Sequence, residues 1–191
     1  MTRPGGPAPI IGLAEAVRWR RALRRANPGT RLVLANGLFD LLHVGHLRYL
    51  AAARRQGDHL LVAVNDDASA RALRGPGRPL VRARDRAALV ASMRGVDRVL
   101  LFRGRTVTRV LETLRPEVHC KGTDYTPATV PERAIVHAYG GAVRVVGDPK
   151  RHASTDLIQR MVAAAPPGGR GRARHPRRPR PSARARRRRD R

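Results

Sequence analysis

Short, continuously apolar runs alternate with longer segments of helical spacing along most of this chain, and this alternation constrains the fold more than any other feature. Continuous apolar runs are typical of strands buried on both faces, and strands that alternate with helices favour a parallel sheet. We therefore predict an α/β fold, a doubly wound parallel sheet with helices on both faces. The predicted strands are 31–35, 59–64, 99–102, 118–120 and 142–146, and the predicted helices are 11–26, 45–56, 84–93, 106–114, 131–138 and 155–164.

The composition limits which interactions can stabilise this fold and which cellular compartment is expected for the protein. Hydrophobic residues make up 41% of the chain and aromatic residues only 3%, so the core must consist mainly of Leu, Val, Ala and Ile. Cys120 is the single cysteine, which excludes an internal disulfide framework and a CxxC-type zinc or redox site. No apolar run approaches the roughly 20 residues of a membrane-spanning helix, and the first residues lack a secretory signal. We therefore expect a soluble, cytoplasmic protein without a membrane span.

The positive charge is concentrated at one end of the chain but is not confined to it. Residues 170–191 contain twelve arginines and one aspartate and so hold +11 of the formal net charge of +26. We divide the chain into a flexible N-terminus at 1–10, a folded domain at 11–165 and a disordered Arg/Pro-rich tail at 166–191. An arginine-rich tail can bind nucleic acid or anionic membranes. The skew of 38 arginines to two lysines also fits a compositional bias without a binding role, which we favour.

The segment after the first predicted strand contains the residues best suited to chemistry. His43 and His46 lie three positions apart at the start of a predicted helix, so both rings share one face, and Gly45 leaves room for a ligand. A helix N-terminus suits phosphate, and two imidazoles add donors for an anionic transition state. The pattern therefore favours phosphoryl or nucleotidyl transfer. A structural histidine cap or two metal ligands would give the same spacing, but no third ligand follows at a familiar distance, and we predict no metal site.

The same segment resembles the HxGH signature of the cytidylyltransferase-like nucleotidyltransferases, which implies a Rossmann-like sheet. The resemblance runs from about residue 32 to residue 161, and the motif set is most similar to that of the adenylyltransferase domain of bacterial bifunctional heptose synthases. Several ordered motifs are more specific than a lone HxGH. The stretches that carry the resemblance are 38–46, 64–67, 71–79, 96–99, 121–127, 140–141 and 154–158.

The resemblance implies a nucleotidyltransferase that moves AMP from ATP onto D-glycero-β-D-manno-heptose 1-phosphate, giving ADP-heptose and pyrophosphate. His43 and His46 would contact the nucleotide phosphates and stabilise the pentacoordinate α-phosphorus, with no covalent intermediate. The attacking phosphate oxygen is already an anion, so positioning and charge neutralisation should dominate. Mg²⁺ is expected as a cofactor that ATP itself carries.

Two alternatives stay open at this point. A cytidylyltransferase acting on glycerol 3-phosphate or a similar phosphorylated alcohol would use the same phosphate-binding machinery, and the sequence does not reveal the base. The second alternative is an Arg-rich nucleic-acid-binding protein on an inactive fold, which would bind through the tail.

Further residues are assigned to the nucleotide by the resemblance and by their positions after predicted strands. Lys121 is expected to neutralise phosphate charge, and we count it with His43 and His46 as catalytic. The hydroxyls of Ser154 and Thr155 open the last predicted helix, where they can cap the helix and donate to the β and γ phosphates. Asp40 is either a structural acceptor that organises its loop or a nucleotide contact, and we favour structure. The nucleotide-binding predictions are Asn36, Gly37, Phe39, Asp40, Gly45, Asp124, Ser154 and Thr155.

A phosphate clamp is predicted in the Gly/Pro-rich segment after the second strand. Arg71, Arg74 and Arg78 lie in this predicted loop, and each offers a bidentate guanidinium, although a solvated surface charge is the ordinary role of such residues. Arg78 is the preferred member because Gly-Arg-Pro matches the family pattern, and Arg86 is a weaker candidate for the same anion. The substrate-binding predictions are Asn65, Asp66, Arg71 and Arg78.

The predicted partners are small molecules, namely a nucleoside triphosphate and a sugar phosphate. Members of the family are commonly fused to a sugar kinase or work beside one, so we expect a separate sugar kinase to supply the phosphorylated acceptor. A homodimer agrees with the resemblance, but the sequence has no interface signature of its own.

Overall fold

A computed structural model describes residues 6–148 and 163–164 of the chain. The six strands in this part are β1 (Ile10–Ile11), β2 (Leu32–Gly37), β3 (His59–Asn65), β4 (Arg98–Phe102), β5 (Val118–Lys121) and β6 (Ala142–Val145). The six helices are α1 (Leu13–Ala26), α2 (Val44–Arg54), α3 (Asp67–Arg74), α4 (Ala83–Ala91), α5 (Thr108–Leu114) and α6 (Arg133–Ala138). None of the described helices is long and apolar enough to cross a membrane.

All six strands form one parallel sheet in the order β1-β4-β3-β2-β5-β6. The chain moves outward from β2 through β3 to β4 and then returns to place β5 on the other side of β2. This reversal makes the carboxyl ends of β2 and β5 the switch point of the sheet, the place where open α/β sheets bind ligands. The predicted Rossmann-like, doubly wound architecture is confirmed.

Alternate residues of the central strands pack on opposite faces of the sheet. Val33 and Ala35 of β2 belong to one apolar cluster with residues of α2 and α4, whereas Leu32 and Leu34 belong to the other with residues of α1, α5 and α6. These four side chains are fully buried. A strand buried on both faces must be apolar throughout, which explains the continuous apolar run that predicts β2.

Each predicted strand is present, and so is each predicted helix up to residue 138, with ends within two residues of the expected ones. The predicted helix 155–164 and the tail 166–191 lie outside the described residues, apart from positions 163 and 164. Helix α3 and strand β1 were not predicted. The segment that forms α3 is polar, and its pattern favours a loop. In the structure Asp66 caps this helix by accepting a hydrogen bond from the Ser69 backbone N–H at 2.7 Å.

Ordered contacts begin before residue 11, which is the predicted first residue of the folded domain. Ile10 and Ile11 pair with β4, and the carbonyl of Pro9 accepts a hydrogen bond from Val99 N–H at 3.0 Å. Ala8 is buried and donates its N–H to the carbonyl of Ala91 at 2.7 Å. Two apolar residues after a Pro/Gly-rich stretch are too short a pattern to predict a strand, and the open edge of β4 provides the partner.

Candidate active site

A cavity of about 580 Å³ opens at the carboxyl edge of the sheet. The residues that line it follow five of the six strands, β2 to β6, because parallel strands all end at this edge. The cavity includes the switch point, where the segment Asn36–His46 leaves β2 and the segment Lys121–Tyr125 leaves β5.

His43 and His46 lie side by side at the N-terminus of α2, on the wall of this cavity. Their ring centroids are 3.9 Å apart and the ring planes are inclined by 32°. His43 is the N-cap residue and has an extended backbone, and its N–H points at Nδ1 of His46 at 3.4 Å. The ring of Phe39 also packs against His46, at a centroid distance of 5.2 Å. Both imidazoles are thereby held at the end of the helix that attracts anions.

The environment of His46 fixes its charge and its tautomer. Burial, followed by the neighbouring His43, lowers the pKa of His46 from 6.5 to about 4, while the carboxylate of Asp124 acts in the opposite direction. The ring is therefore neutral at pH 7. Because Nδ1 faces an N–H donor, the proton of the neutral ring lies on Nε2. The neutral ring of His46 thus has one N–H donor, on Nε2, and carries no charge.

Phe39 and Asp40 shape the loop that precedes the two histidines. Phe39 is 2% exposed and has a φ of 52°, and a Cβ at Gly37 would meet its ring at 3.0 Å, so a larger residue there would have to displace the ring. Asp40 accepts hydrogen bonds from the N–H groups of Leu80 and Val81 at 2.7 and 3.0 Å and from Arg78 at 2.9 Å. These contacts agree with the structural interpretation of Asp40, since both carboxylate oxygens are occupied by the protein.

A network of polar side chains forms the floor of the cavity beneath the switch point. The Oδ1 atom of Asn36 lies 3.2 Å from Nε2 of His119 and 3.2 Å from Nζ of Lys121. The Lys121 ammonium also lies 3.3 Å from a carboxylate oxygen of Glu132 and 5.0 Å from the centre of the Tyr125 ring. Burial lowers the pKa of His119 to about 3, and the charge of Lys121 acts in the same direction, so His119 is neutral and donates to Asn36.

Comparison with known proteins agrees with this geometry. The cytidylyltransferase-like family model matches residues 34–164, which is more than half of the chain. The chain belongs to the cytidylyltransferase-like family. It is a nucleotidyltransferase, as the resemblance predicts, and the matched region includes most of β2, both histidines of the HxGH signature and every later strand among the described residues.

Curated relatives of this nucleotidyltransferase are considerably longer than the matched region. The chain is 41% identical over 152 residues to the bifunctional protein HldE of Syntrophotalea carbinolica, a match that covers 80% of this chain and 31% of the relative. It is 46% identical over 133 residues to the bifunctional protein HldE of Geotalea uraniireducens, covering 70% of this chain and 27% of the relative. The chain therefore spans less than a third of the length of these relatives.

A solved structure shares the fold. The lipopolysaccharide core biosynthesis protein from Thermoplasma volcanium superposes with a TM-score of 0.54 at 28% identity, covering 63% of this chain and 100% of that one. The structural match supports the Rossmann-like fold of the described residues.

The cavity of this nucleotidyltransferase brings together most of the predicted site residues that the structure describes. Ser154 and Thr155 lie outside the described residues, together with the basic pair Lys150 and Arg151 that precedes them. Their assignment to the β and γ phosphates stays a prediction. The predicted residues that line the cavity are Asn36, Gly37, Phe39, Asp40, His43, Gly45, His46, Asn65, Arg78, Lys121 and Asp124.

The three arginines of the predicted clamp do not lie in one loop, and their guanidinium groups have different environments. Arg71 and Arg74 lie on helix α3, and of these two only Arg74 lines the cavity. Arg78 does line it but is paired with Asp40, and Asp66 caps α3 instead of facing the cavity. The physical reason is that Asp66 starts a helix directly after β3, which turns successive side chains to different faces.

Arg86 is a structural residue and does not bind the anion that the sequence analysis assigns to it. Its side chain is completely buried. It donates to the carbonyls of Leu38 and Val81 and to the carboxylate of Asp67. The guanidinium therefore connects the start of α4 to the start of α3 and to the signature loop, the segment 38–43 that leads to the two histidines. Because the side chain is completely buried, it has no exposed N–H group to offer a substrate.

Sequence reasoning missed several residues that line the cavity or contact the residues that line it. His119 and Glu132 are buried beside Asn36 and Lys121, and Arg105 lines the cavity after β4. A signal for His119 did exist in the sequence. His119 is a polar residue inside an apolar strand, two positions before Lys121, and a buried polar residue requires a polar neighbour. No comparable signal marks Glu132 or Arg105, since both lie in loops whose paths the sequence does not define.

The low pKa values of the two buried histidines should be visible as a loss of stability in acid. The unfolded chain takes up protons at His46 and His119 near pH 6.5, whereas the folded protein does so only near pH 4 and pH 3. The free energy of unfolding should therefore fall as the pH decreases from about 6.5, with a slope of up to about 1.4 kcal/mol per pH unit for each histidine. Urea denaturation at a series of pH values measures this slope.

The matched variant for this measurement is His119→Gln, whose amide can still donate to Asn36 but does not titrate. The stability difference between wild type and H119Q should change steadily between pH 6.5 and pH 4, with the wild type losing more in acid. Parallel curves over this interval would show that His119 is not held neutral in the folded protein.

Proposed function

We propose that this chain catalyses the transfer of AMP from ATP to D-glycero-β-D-manno-heptose 1-phosphate, forming ADP-heptose and releasing pyrophosphate. The observation that carries the proposal is the His43–His46 pair, with ring centroids 3.9 Å apart, at the helix end that opens on the switch-point cavity. The identity of 41–46% to proteins named HldE supports the heptose acceptor, and the relative named for lipopolysaccharide core biosynthesis supports a sugar substrate.

The proposed reaction is a single displacement at the α-phosphorus of ATP. An oxygen of the acceptor phosphate forms a bond to this phosphorus, the bond to the bridging oxygen of the β phosphate breaks, and pyrophosphate leaves with that electron pair. The acceptor oxygen is already ionised, so no base has to remove a proton. The protein has to align the two phosphates and to stabilise the charge that gathers on the α-phosphoryl oxygens.

The residues of the cavity fit this task. His46 directs a neutral N–H donor from the N-terminus of α2, where the backbone also favours negative charge. Lys121 supplies a positive charge from the end of β5, on the other side of the switch point from β2. Arg74 and Arg105 line the cavity beyond β3 and β4, where they add positive charge for the phosphate groups of the two substrates.

Magnesium belongs to this reaction as part of the nucleotide substrate. Within residues 6–148 and 163–164, no cluster of three or more His, Cys, Asp or Glu residues could hold a metal ion. The described residues therefore fit a magnesium ion that arrives already coordinated by the triphosphate. Bound in this way, magnesium supplies charge neutralisation on the phosphate oxygens.

A cytidylyltransferase that uses glycerol 3-phosphate is the second candidate, because the matching family is described as cytidylyltransferase-like. The two candidates share the phosphate chemistry and differ in the base and the acceptor. A panel that crosses ATP and CTP with heptose 1-phosphate and glycerol 3-phosphate, assayed by pyrophosphate release, separates them. We expect the ATP–heptose 1-phosphate pair to have the highest kcat/KM, by about 100-fold or more. A higher value for either CTP pair would contradict the adenylyltransferase assignment.

Several wider expectations accompany the proposal and stay predictions. A sugar kinase would have to supply the heptose 1-phosphate, the enzyme would work in the cytoplasm, and a homodimer is compatible with the family. Nucleic-acid binding by the Arg-rich tail at 166–191, which lies outside the described residues, is the remaining alternative. It would give salt-sensitive binding to DNA or RNA without pyrophosphate release from any substrate pair.

A further inference from the structure

Glu132 is an almost completely buried carboxylate at the wall of the cavity, and the proposed reaction gives it no direct role. Only 2% of the residue is exposed. It precedes helix α6 at the N-cap position, but its side chain makes no capping hydrogen bond. A buried carboxylate is costly unless an opposite charge lies near it. The burial of Glu132 therefore needs an explanation other than helix capping.

The opposite charge is the ammonium group of Lys121. One carboxylate oxygen of Glu132 lies 3.3 Å from Nζ of Lys121, and the two side chains are 3% and 9% exposed. Asn36 approaches the same ammonium at 3.2 Å, and the ring of Tyr125 lies 5.0 Å away. The ammonium is thus surrounded by groups from β2, from the segment after β5 and from the start of α6. These contacts restrict a side chain that has four rotatable bonds and would otherwise sample many positions.

We propose that Glu132 is a positioning residue that fixes the ammonium group of Lys121 where it binds the phosphate groups of the nucleotide. This inference rests on the proposed function, which assigns Lys121 to those phosphates. Both side chains line the cavity at the switch point of the sheet. A buried ion pair adds little net stability compared with an apolar pair of similar volume, so stability alone does not explain a pair at this wall. Glu132 acts through Lys121 and has no contact of its own with the reacting atoms.

A double-mutant cycle between Glu132 and Lys121 tests the inference. The variants are Glu132→Gln, which keeps the shape and removes the charge, Lys121→Met, and the double variant E132Q/K121M. We expect kcat/KM for pyrophosphate release to fall about 10-fold in E132Q and about 100-fold in K121M. The double variant should be no less active than K121M, because Glu132 has nothing left to position.

A merely structural role of Glu132 predicts a different pattern. Loss of packing around α6 would lower activity by the same factor whether or not Lys121 is present, so additive effects would overturn the inference. Unchanged activity in E132Q would overturn it as well. The matched control is Glu112→Gln on α5, an exposed glutamate in the described part of the chain, which should behave as wild type. If E132Q does not fold, as judged by circular dichroism, the cycle is run with Glu132→Asp, which keeps the charge but shortens its reach.

The same cycle measured on the Kd for Mg-ATP separates this inference from the proposed function. E132Q and K121M should each weaken Mg-ATP binding, again without additivity, and isothermal titration calorimetry measures this without turnover. A wild-type protein that binds Mg-ATP but releases no pyrophosphate with any acceptor would refute the proposed transfer, while the binding cycle would still decide the role of Glu132. Additive losses of Mg-ATP affinity would refute the positioning role even in an active enzyme.

Discussion

Replacement of His46 by alanine should lower kcat for pyrophosphate release by about 100- to 1,000-fold, the range observed when one preorganised donor to a developing oxyanion is removed. Its Nε2–H donor lies at the N-terminus of α2, and the ring is held by His43 and Phe39. Because the donor acts on charge that develops during the displacement, the KM for ATP should change much less than kcat. His43→Ala should have a comparable effect, since its ring stacks on that of His46 at the same end of the helix.

The proposed mechanism assigns both histidines to the same phosphorus, so the double variant H43A/H46A should be far less impaired than the product of the two single effects. His137→Ala is the matched control, because His137 is an exposed histidine on α6 that does not line the cavity. Steady-state kinetics with saturating acceptor measures all four proteins. Turnover within tenfold of wild type in both single variants would remove the histidine pair from the mechanism.

Replacement of Arg86 by methionine should lower the free energy of unfolding by about 3–5 kcal/mol, the largest loss of stability among the proposed variants. The reason is that the substitution removes one partner of a buried charged network. The guanidinium is fully buried and donates to the carbonyls of Leu38 and Val81 and to Asp67. Methionine fills much of the same volume, so the loss comes mainly from polar groups left without donors. Activity should fall too, because the Leu38 carbonyl belongs to the loop that carries the histidines.

Arg84→Met is the matched control, since Arg84 is an exposed residue one position into the same helix. Its replacement should change the free energy of unfolding by no more than about 0.5 kcal/mol. Urea denaturation of both variants at pH 7 measures the difference. If R86M were as stable as R84M, the network of Arg86 would not hold the signature loop to the rest of the fold.

The sheet and the histidine pair could be predicted from the sequence because both depend on local patterns. A strand buried on both faces must be apolar at every position, so β2 and β3 are visible as continuous runs. His43 and His46 follow β2 directly, and the fold places everything after β2 at the ligand edge. The position of this pair therefore requires no knowledge of distant contacts.

The floor of the cavity and the roles of individual arginines could not be predicted, because they depend on contacts between distant segments. Glu132 meets Lys121 only through the path of the intervening loop, and Asn36 meets both His119 and Lys121 across neighbouring strands. In a chain with 38 arginines, nothing local distinguishes the buried Arg86 from an exposed arginine. Helix α3 escaped prediction for a different, local reason: its apolar pattern is weak, and the Asp66 cap stabilises it.

The most direct test of nucleotidyl transfer is ³¹P NMR of the protein incubated with Mg-ATP and heptose 1-phosphate. We expect the ATP signals to be replaced by pyrophosphate and by a pair of coupled signals from a sugar–adenosine diphosphate, with no such change for the H43A/H46A variant. Formation of ADP and inorganic phosphate instead would place bond cleavage at the γ-phosphorus and would contradict the role assigned to the histidine pair.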